Sequence, residues 1–191
     1  MWLFFDSETT GIPRNFNAPA TDVRNWPRMV QLAWLQMDAK GRRLQAAEHI
    51  IKPEGFTIPA DVVRIHGITT ARALKEGVPL NEVLKSFATV VSESKLLIAH
   101  NMDFDAKIVG AEFHRAGIEH GIERLRQFCT MKGSKDYCRL PGKYGFKWPT
   151  LAELHLHLFG TGLAESHTAA ADVETCAKCF VELRKRKAIR C

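Results

Sequence analysis

The stretch WLFFDSETTG, residues 2–11, decides the fold, because it runs from bulky apolar side chains directly into two acids. Residues 2–5 are typical of a buried strand, and Asp6 and Glu8 come at its carboxyl end. Side chains of a strand alternate between its two faces, so Asp6 and Glu8 project from the same face. The sequence therefore predicts two hard oxygen ligands side by side at a strand end.

Thr9, Thr10 and Gly11 follow these acids with small side chains and free backbone N–H groups, which would let a phosphate or a terminal sugar approach closely. Taken alone, an acidic strand end before a turn is the commoner explanation of such a segment. A functional interpretation therefore depends on other acids reaching the same point.

Further along the chain, apolar runs bounded by turn residues, and apolar residues at helical spacing, predict a regular order of elements. Three early strands are followed by alternating helices and strands, which indicates an α/β protein with a mixed sheet flanked by helices. The predicted strands are residues 2–5, 29–37, 44–52, 95–99 and 126–130, and the predicted helices are 80–91, 102–116, 151–159 and 169–187.

The segment 13–27, between the first two strands, contains three prolines and no periodicity. It is predicted to be a long surface loop directly after the acids. This position makes the loop a candidate lid or substrate wall.

The length of 191 residues favours one domain spanning 1–191. With 46% hydrophobic and 25% charged residues, the composition is typical of a globular protein and not of a membrane or disordered one. The start of the chain lacks the basic flank of a secretory signal, so we expect a cytoplasmic protein.

The 27 Lys and Arg against 21 Asp and Glu give a net charge of +6, which modestly favours an anionic partner such as nucleic acid. The basic tail at about 184–191 has a structural explanation, because cations interact favourably with the helix dipole at a carboxyl end.

The five cysteines are an odd number without an export signal, so reduced thiols are expected. Cys176 and Cys179 form a C-x-x-C, and together with Cys129 and Cys138 they are an alternative candidate for a zinc site. The second pair is nine residues apart, unlike the close-spaced pairs of zinc sites, so small buried side chains are the preferred interpretation.

A second acidic cluster is AHNMDFD, residues 99–105, which runs from a predicted strand into a helix. Asp103 and Asp105 are about 200° apart around a helix, so only one of them can easily join the site. If Asp105 faces the end of the sheet, Asp103 is an acid in the first turn of a helix, where it complements the dipole. Phe104 is either a core residue or an aromatic at the rim of the site.

A third cluster is HTAAAD, residues 167–172. Five residues along a helix give about 140° of separation, so His167 and Asp172 would not share a face within one helix. Thr168 as a helix cap places His167 in the loop before the helix and Asp172 about one turn inside it. A surface histidine and a solvated acid are the alternative explanation of this segment alone.

Together the three clusters offer four carboxylates and one histidine, which are the groups that two-metal phosphodiester hydrolysis requires. Two divalent ions stabilise charge on both the attacking and the leaving oxygen, and Mg²⁺ or Mn²⁺ prefers carboxylate ligands. The histidine would take a proton from the attacking water.

In order and approximate spacing, the clusters resemble the motifs of the DnaQ-like DEDDh exonucleases of the RNase H-like superfamily, which include polymerase proofreading subunits, RNase T and TREX-type nucleases. FDSETTG matches the first motif, HNMDFD the second and HTAAAD the third. Residues 30–38 resemble the family's second strand, and IHGIT, residues 65–69, resembles a segment that contacts the terminal nucleotide. The loop after Pro13 is not part of these motifs.

This resemblance implies an RNase H-like five-stranded mixed sheet, with three antiparallel strands and parallel additions, and 3′→5′ release of nucleoside 5′-monophosphates. It implies that His167 is the general base and that two Mg²⁺ or Mn²⁺ ions are held by Asp6, Glu8, Asp105 and Asp172. The candidates for contact with the terminal nucleotide are Thr9, Thr10, His66 and Phe104.

The segment 131–149 interleaves five Lys or Arg residues with Tyr137, Tyr144, Phe146 and Trp148. Basic groups neutralise phosphates and aromatic rings stack on bases, so the segment is a candidate guide for a nucleic acid strand. The alternative is a solvated loop whose aromatics anchor it to the core.

The leading hypothesis is a metal-dependent 3′→5′ exonuclease that acts on single-stranded or frayed nucleic acid 3′ ends, on DNA rather than RNA. A polymerase is a candidate partner, as in proofreading or DNA repair, and no membrane attachment is expected. One alternative is a catalytically silent nucleic-acid-binding or polymerase-associated module on the same fold, whose signature would be loss of a carboxylate, and none is lost here. Another is a two-metal phosphatase, which assays on dinucleotides and phosphomonoesters would separate.

Overall fold

A five-stranded sheet forms the centre of the computed structural model, which describes residues 1–163 and 168–190. Its strands are β1 (Trp2–Thr9), β2 (Met29–Met37), β3 (Arg43–Ile50), β4 (Leu96–Ala99) and β5 (Arg126–Cys129). β2 pairs antiparallel with both β1 and β3, whereas β4 and β5 add in parallel beyond β1, in the order β3-β2-β1-β4-β5. The predicted α/β fold with a mixed sheet is confirmed.

Helices cover both faces of this sheet. They are α1 (Ala60–His66), α2 (Thr70–Glu76), α3 (Leu80–Ser92), α4 (Met102–Ala116), α5 (Thr130–Gly133), α6 (Lys135–Cys138), α7 (Leu151–Phe159) and α8 (Ala169–Lys185). The sequence did not predict α1 and α2 individually, because seven residues show too few turns for a clear apolar period. None of the helices within 1–163 and 168–190 has the length and apolar character needed to cross a membrane.

Alternate residues of β1 bury into two different cores. Leu3 and Phe5 pack against α3 and α4 on one face of the sheet, whereas Phe4 packs against α8 on the other. This alternation continues past Phe5, so Asp6 and Glu8 project toward the α8 side and Ser7 toward the α4 side. The end of β1 is therefore the point where polar groups from both layers meet.

The segment 13–27 is packed onto α4. The Arg115 guanidinium donates hydrogen bonds to the carbonyls of Val23 and Trp26, and the buried Trp26 indole donates to the Pro19 carbonyl over 3.0 Å. Phe16 stays 54% exposed at the surface of this loop. The anchoring favours a fixed wall over a moving lid.

Three of the cysteines are packed with aliphatic side chains. Cys138 and Cys179 are buried in one cluster with Leu154, and Cys176 is buried in the core between α8 and the sheet. Burial raises the pKa of the Cys179 thiol to about 12, so this thiol stays protonated. These cysteines behave as small apolar core residues.

The basic chain end is folded against the domain. Arg186 follows α8, pairs with Glu182 over 2.7 Å and donates a hydrogen bond to the Leu158 carbonyl at the end of α7. Arg186 therefore has structural partners.

Candidate active site

Three carboxylates meet where β1 ends and α8 begins. One oxygen each of Asp6, Glu8 and Asp172 lies within 4.8 Å of the other two. The Thr168 side chain caps α8 by accepting a hydrogen bond from the Ala171 N–H, so Asp172 falls in the first turn of the helix. The shared face of β1 and this capped helix start bring the three acids together.

The fourth acid, Asp105, reaches the same strand end from the opposite layer. Its side chain is in the first turn of α4, and the residue is only 2% exposed. Asp105 Oδ1 accepts two hydrogen bonds from Ser7, from the backbone N–H at 3.1 Å and from the hydroxyl at 2.7 Å. Asp105 is thus held at the end of β1 by Ser7, the residue between Asp6 and Glu8 in the sequence.

The turn between β4 and α4 positions Asp105. Asn101 adopts the left-handed conformation with φ 89°, which asparagine tolerates better than most residues. Its carbonyl accepts hydrogen bonds from the N–H groups of Phe104 and Asp105 and so starts the helix. Asp103 instead points outward, where it is exposed and pairs with Lys132.

Burial and mutual repulsion raise the pKa values of the clustered carboxyl groups. Burial raises the pKa of Asp6 well above its usual range, and the neighbouring charges of Asp105, Asp172 and Glu8 raise it further. Burial and then the Asp172 charge raise the pKa of Glu8 to about 7. Burial also raises the pKa of Asp105 to about 7, against the opposing effect of the hydrogen bonds from Ser7.

A divalent cation fits this arrangement. Packed carboxylates repel one another when ionised, and nearby positive charge would remove that cost. The donors are hard carboxylate oxygens, which suit Mg²⁺ or Mn²⁺ better than the thiolate and imidazole sets of structural zinc sites. The site is therefore chemically suited to metal-assisted hydrolysis.

His66, a substrate-side candidate from the resemblance, lies beside the end of β1. His66 is 6% exposed, and its Nδ1 accepts a hydrogen bond from the Ile68 N–H over 3.1 Å. Burial lowers the pKa of the ring, and an interaction with the Thr9 backbone partly opposes this. Burial therefore favours the neutral ring, which lies against the Thr9 backbone.

The other three substrate-side candidates also lie around this end of β1. The Thr9 hydroxyl donates to the Gly11 carbonyl over 2.6 Å, and the Thr10 hydroxyl accepts from the Arg28 N–H over 3.0 Å. Phe104 is half-buried against the core between α4 and the sheet. These side chains shape the turn and leave part of the Phe104 ring for contact. His167, the remaining sequence candidate, lies outside the described residues.

Sequence reasoning missed Ser7 as a functional residue. The alternation of β1 would have placed its hydroxyl on the face opposite Asp6 and Glu8, but only the packing of α4 shows what that hydroxyl contacts. Ser7 is a positioning residue for Asp105.

The chain matches a known family over nearly its whole length. The family model described as Exonuclease matches residues 3–180. The chain is also similar to the DNA polymerase III PolC-type of Streptococcus sanguinis (strain SK36), with 29% identity over 126 residues, which is 66% of this chain and 7% of that protein. It thus spans only a small part of that curated relative.

Solved structures share the fold. E. coli Exonuclease I in complex with a 5cy-dT13 oligonucleotide has a TM-score of 0.77 and 18% identity, and the match covers 97% of this chain and 41% of that one. The zinc-bound form of the E. coli Exonuclease I complex with single-stranded DNA has a TM-score of 0.75 and 20% identity, with 97% and 40% covered. At these identities the likeness is one of architecture, and it includes the central mixed sheet.

Proposed function

The chain belongs to the DnaQ-like exonuclease family of the RNase H-like superfamily, and from this premise we propose that it is a two-metal-dependent 3′→5′ exonuclease. It hydrolyses the last phosphodiester bond at a DNA 3′ end and releases a nucleoside 5′-monophosphate. The observation that carries the proposal is the convergence of Asp6, Glu8 and Asp172 oxygens within 4.8 Å, with Asp105 held beside them by Ser7.

The four carboxylates would hold two Mg²⁺ or Mn²⁺ ions. Such ions supply positive charge next to the attacking and leaving oxygens of the phosphodiester. His167 accepts a proton from the attacking water, and the water oxygen forms a bond to phosphorus. The bond from phosphorus to the O3′ of the preceding nucleotide breaks, and that O3′ takes up a proton. The terminal nucleotide is enclosed by Thr9, Thr10, His66 and Phe104. Its base lies against the Phe104 ring.

Single-stranded or frayed DNA ends are the proposed substrate. The support is the likeness to Exonuclease I structures that contain single-stranded DNA or a dT13 oligonucleotide. A polymerase is the proposed partner in proofreading, and its support is the similarity to a PolC-type DNA polymerase III. Because this chain spans 7% of that polymerase, such a partner would be a separate polypeptide or a further part of the same protein.

The test uses a 5′-labelled single-stranded DNA oligonucleotide with Mg²⁺ or Mn²⁺. The expected result is a ladder of products shortened from the 3′ end, which EDTA or a blocked 3′ end abolishes. Asp6→Asn serves as the inactive control, since it removes a central carboxylate. Cutting of a circular single strand would instead indicate an endonuclease and refute the proposal.

Matched substrates then define the specificity. Single-stranded DNA, single-stranded RNA of the same sequence and a duplex with a 3′ mismatch are compared at equal concentrations. We expect the fastest release from single-stranded DNA and faster release from the mismatched duplex than from a paired one. Faster hydrolysis of a phosphomonoester than of a dinucleotide would assign the site to a phosphatase.

A further inference from the structure

An exposed hairpin between α6 and α7 carries large aromatic side chains. It consists of β6 (Pro141–Gly142) and β7 (Gly145–Phe146), with Lys143 and Tyr144 at the turn, and with the following Lys147 and Trp148 it forms the aromatic hairpin, residues 141–148. Every residue of the aromatic hairpin is exposed. Gly145 has φ 106°, a conformation that permits this tight turn and disfavours other residues.

Three of its side chains are aromatic rings that the core does not cover. Tyr144 is 90% exposed, Trp148 54% and Phe146 44%. Tyr137, by contrast, lies against the aliphatic cluster of α7 and α8 and contacts His157. Tyr137 therefore anchors the segment, whereas the rings of the aromatic hairpin are left for another molecule, since neighbouring exposed apolar groups usually mark a binding surface.

Cations lie next to these rings. Lys143 Nζ is 5.0 Å from the Tyr144 ring centre, and Lys132 Nζ is 5.6 Å from that of Trp148. The segment 131–149 contains five Lys or Arg residues and a single acid, Asp136. Within the described parts of the chain, Lys143 takes part in no ion pair. Rings beside cations suit a ligand that alternates flat bases with phosphates.

The base of the aromatic hairpin is fixed to the edge of the sheet that holds the carboxylates. His100, directly after β4, donates a hydrogen bond from Nε2 to the Pro149 carbonyl over 3.1 Å and accepts one at Nδ1 from the Thr130 hydroxyl over 2.9 Å. Burial lowers the pKa of His100 to about 4, so the ring stays neutral in this link. Lys132 also pairs with Asp103, two residues before Asp105.

We propose that the aromatic hairpin binds the single-stranded part of the substrate immediately 5′ of the nucleotide being removed. Tyr144, Phe146 and Trp148 stack on its bases, and Lys143 neutralises a phosphate. Paired bases already stack on each other, so the surface selects single strands over duplex DNA. The direction of the bound strand rests on the proposed 3′→5′ exonuclease function, whereas the binding of single-stranded DNA to the aromatic hairpin does not.

The test compares the wild type with a Tyr144→Ala/Trp148→Ala double variant. Binding of labelled dT12 and of a blunt duplex is measured by fluorescence anisotropy in EDTA, where no turnover occurs. We expect the Kd for dT12 to rise about 10–100-fold and the Kd for the duplex to change less than about threefold. In Mg²⁺, the KM for a 12-mer should rise while the kcat stays within about threefold, because the carboxylates are untouched.

The matched control is Phe159→Ala, an exposed aromatic at the end of α7. Phe159 lies against a cavity lined by Met37 and Gly41, at the edge of the sheet opposite the carboxylates, so its loss should leave both Kd values unchanged. Lys143→Ala should in addition lower the slope of log Kd against log salt by about 0.7 for a single strand.

Two results would overturn the proposal. One is a dT12 Kd within twofold of wild type in a double variant whose Tm is normal. The other is an equal loss of binding to single strands and duplex, which would indicate that the aromatic hairpin binds DNA through charge and not through stacking. If the double variant loses dT12 binding but the wild type releases no nucleotides from 3′ ends, the proposed function fails while this surface stands.

Discussion

The hydroxyl of Ser7 and the carboxylate of Asp105 are joined by a 2.7 Å hydrogen bond across 98 residues of sequence. This bond links the central strand to α4 at the point where four acids gather. The Ser7 N–H donates to the same Oδ1 atom, so neither of these hydrogen bonds involves the other Asp105 oxygen. The contact sets the orientation of a metal-ligand candidate that burial alone would leave free to rotate.

Ser7→Ala should reduce kcat by roughly 10-fold, because it removes a hydrogen bond to a charged group while the backbone donor remains. The metal concentration that gives half-maximal activity should rise as well, since Asp105 loses its orientation. Ser7→Thr keeps a hydroxyl and should stay close to wild type. A wild-type kcat and metal dependence in Ser7→Ala would show that the backbone N–H is sufficient.

Asp105→Asn should lower kcat by roughly 10²-fold or more, because it removes a negative ligand while the amide oxygen can still accept from Ser7. The matched control is Asp103→Asn, in the same first turn of α4 but on a different face of the helix. Its ion pair with Lys132 is exposed, and such pairs contribute only about 0–1 kcal/mol, so kcat should change less than about threefold. Single-turnover rates at saturating metal separate the two cases, and equal losses would contradict the assignment of Asp105.

The raised pKa of Glu8 predicts how stability depends on pH. Its pKa is about 7 in the folded protein against 4.5 as the usual value, so the neutral form is favoured by folding. This stabilisation is complete below about pH 4.5 and is lost as the pH rises through about 7. In EDTA, Glu8→Gln should therefore melt higher than wild type at pH 8, by about 3–8 °C, with a difference that shrinks toward pH 4.5.

Metal should reverse the order of the melting temperatures of wild type and Glu8→Gln, because a bound dication favours the ionised carboxylate. At pH 8, Mn²⁺ should raise the Tm of the wild type more than that of Glu8→Gln, and at pH 5 it should have little effect on either. Differential scanning calorimetry at both pH values checks this. A larger Mn²⁺ effect at pH 5 than at pH 8 would contradict a carboxylate metal site.

Glu112 is a fully buried acid that the site does not use. Its Oε1 accepts hydrogen bonds from the Met29 N–H at 2.8 Å and from Arg28 at 2.9 Å, and Arg115 lies 3.0 Å away. Glu112→Ala should cost about 3 kcal/mol of unfolding free energy, because it leaves two cations and a backbone donor without their acceptor. Urea unfolding measures this, with Glu112→Gln as the milder variant, and a loss below about 1 kcal/mol would refute it.

The sheet and the acidic strand end could be predicted because their signals are local. Alternation along residues 2–11 is visible in the sequence, and the angle between Asp103 and Asp105 on a helix separates the buried acid from the exposed one. The structure shows Asp105 2% exposed and Asp103 paired with Lys132 at the surface. Periodicity placed the two acids on different helix faces, of which only one can meet the sheet, and the resemblance of HNMDFD to the second motif assigned that face to Asp105.

The partners of individual polar groups could not be predicted, because they depend on which elements pack together. Nothing near Ser7 in the sequence indicates an acceptor 98 residues away. The sequence predicts free backbone N–H groups after Glu8, but the Thr10 N–H donates to the Arg28 carbonyl and the Gly11 N–H donates to the Thr9 hydroxyl. His100 shows no local sign that it holds Pro149 at the base of the aromatic hairpin.

His167→Ala tests the proposed general base. If His167 accepts the proton of the attacking water, its loss should lower kcat by roughly 10²–10⁴-fold, while the Kd for dT12 in EDTA and the Tm stay near wild type. His155→Ala is the matched control, because His155 contacts Thr161 and Phe159 away from the carboxylates. A His167→Ala rate within about threefold of wild type would remove His167 from this role and leave a different base to be found.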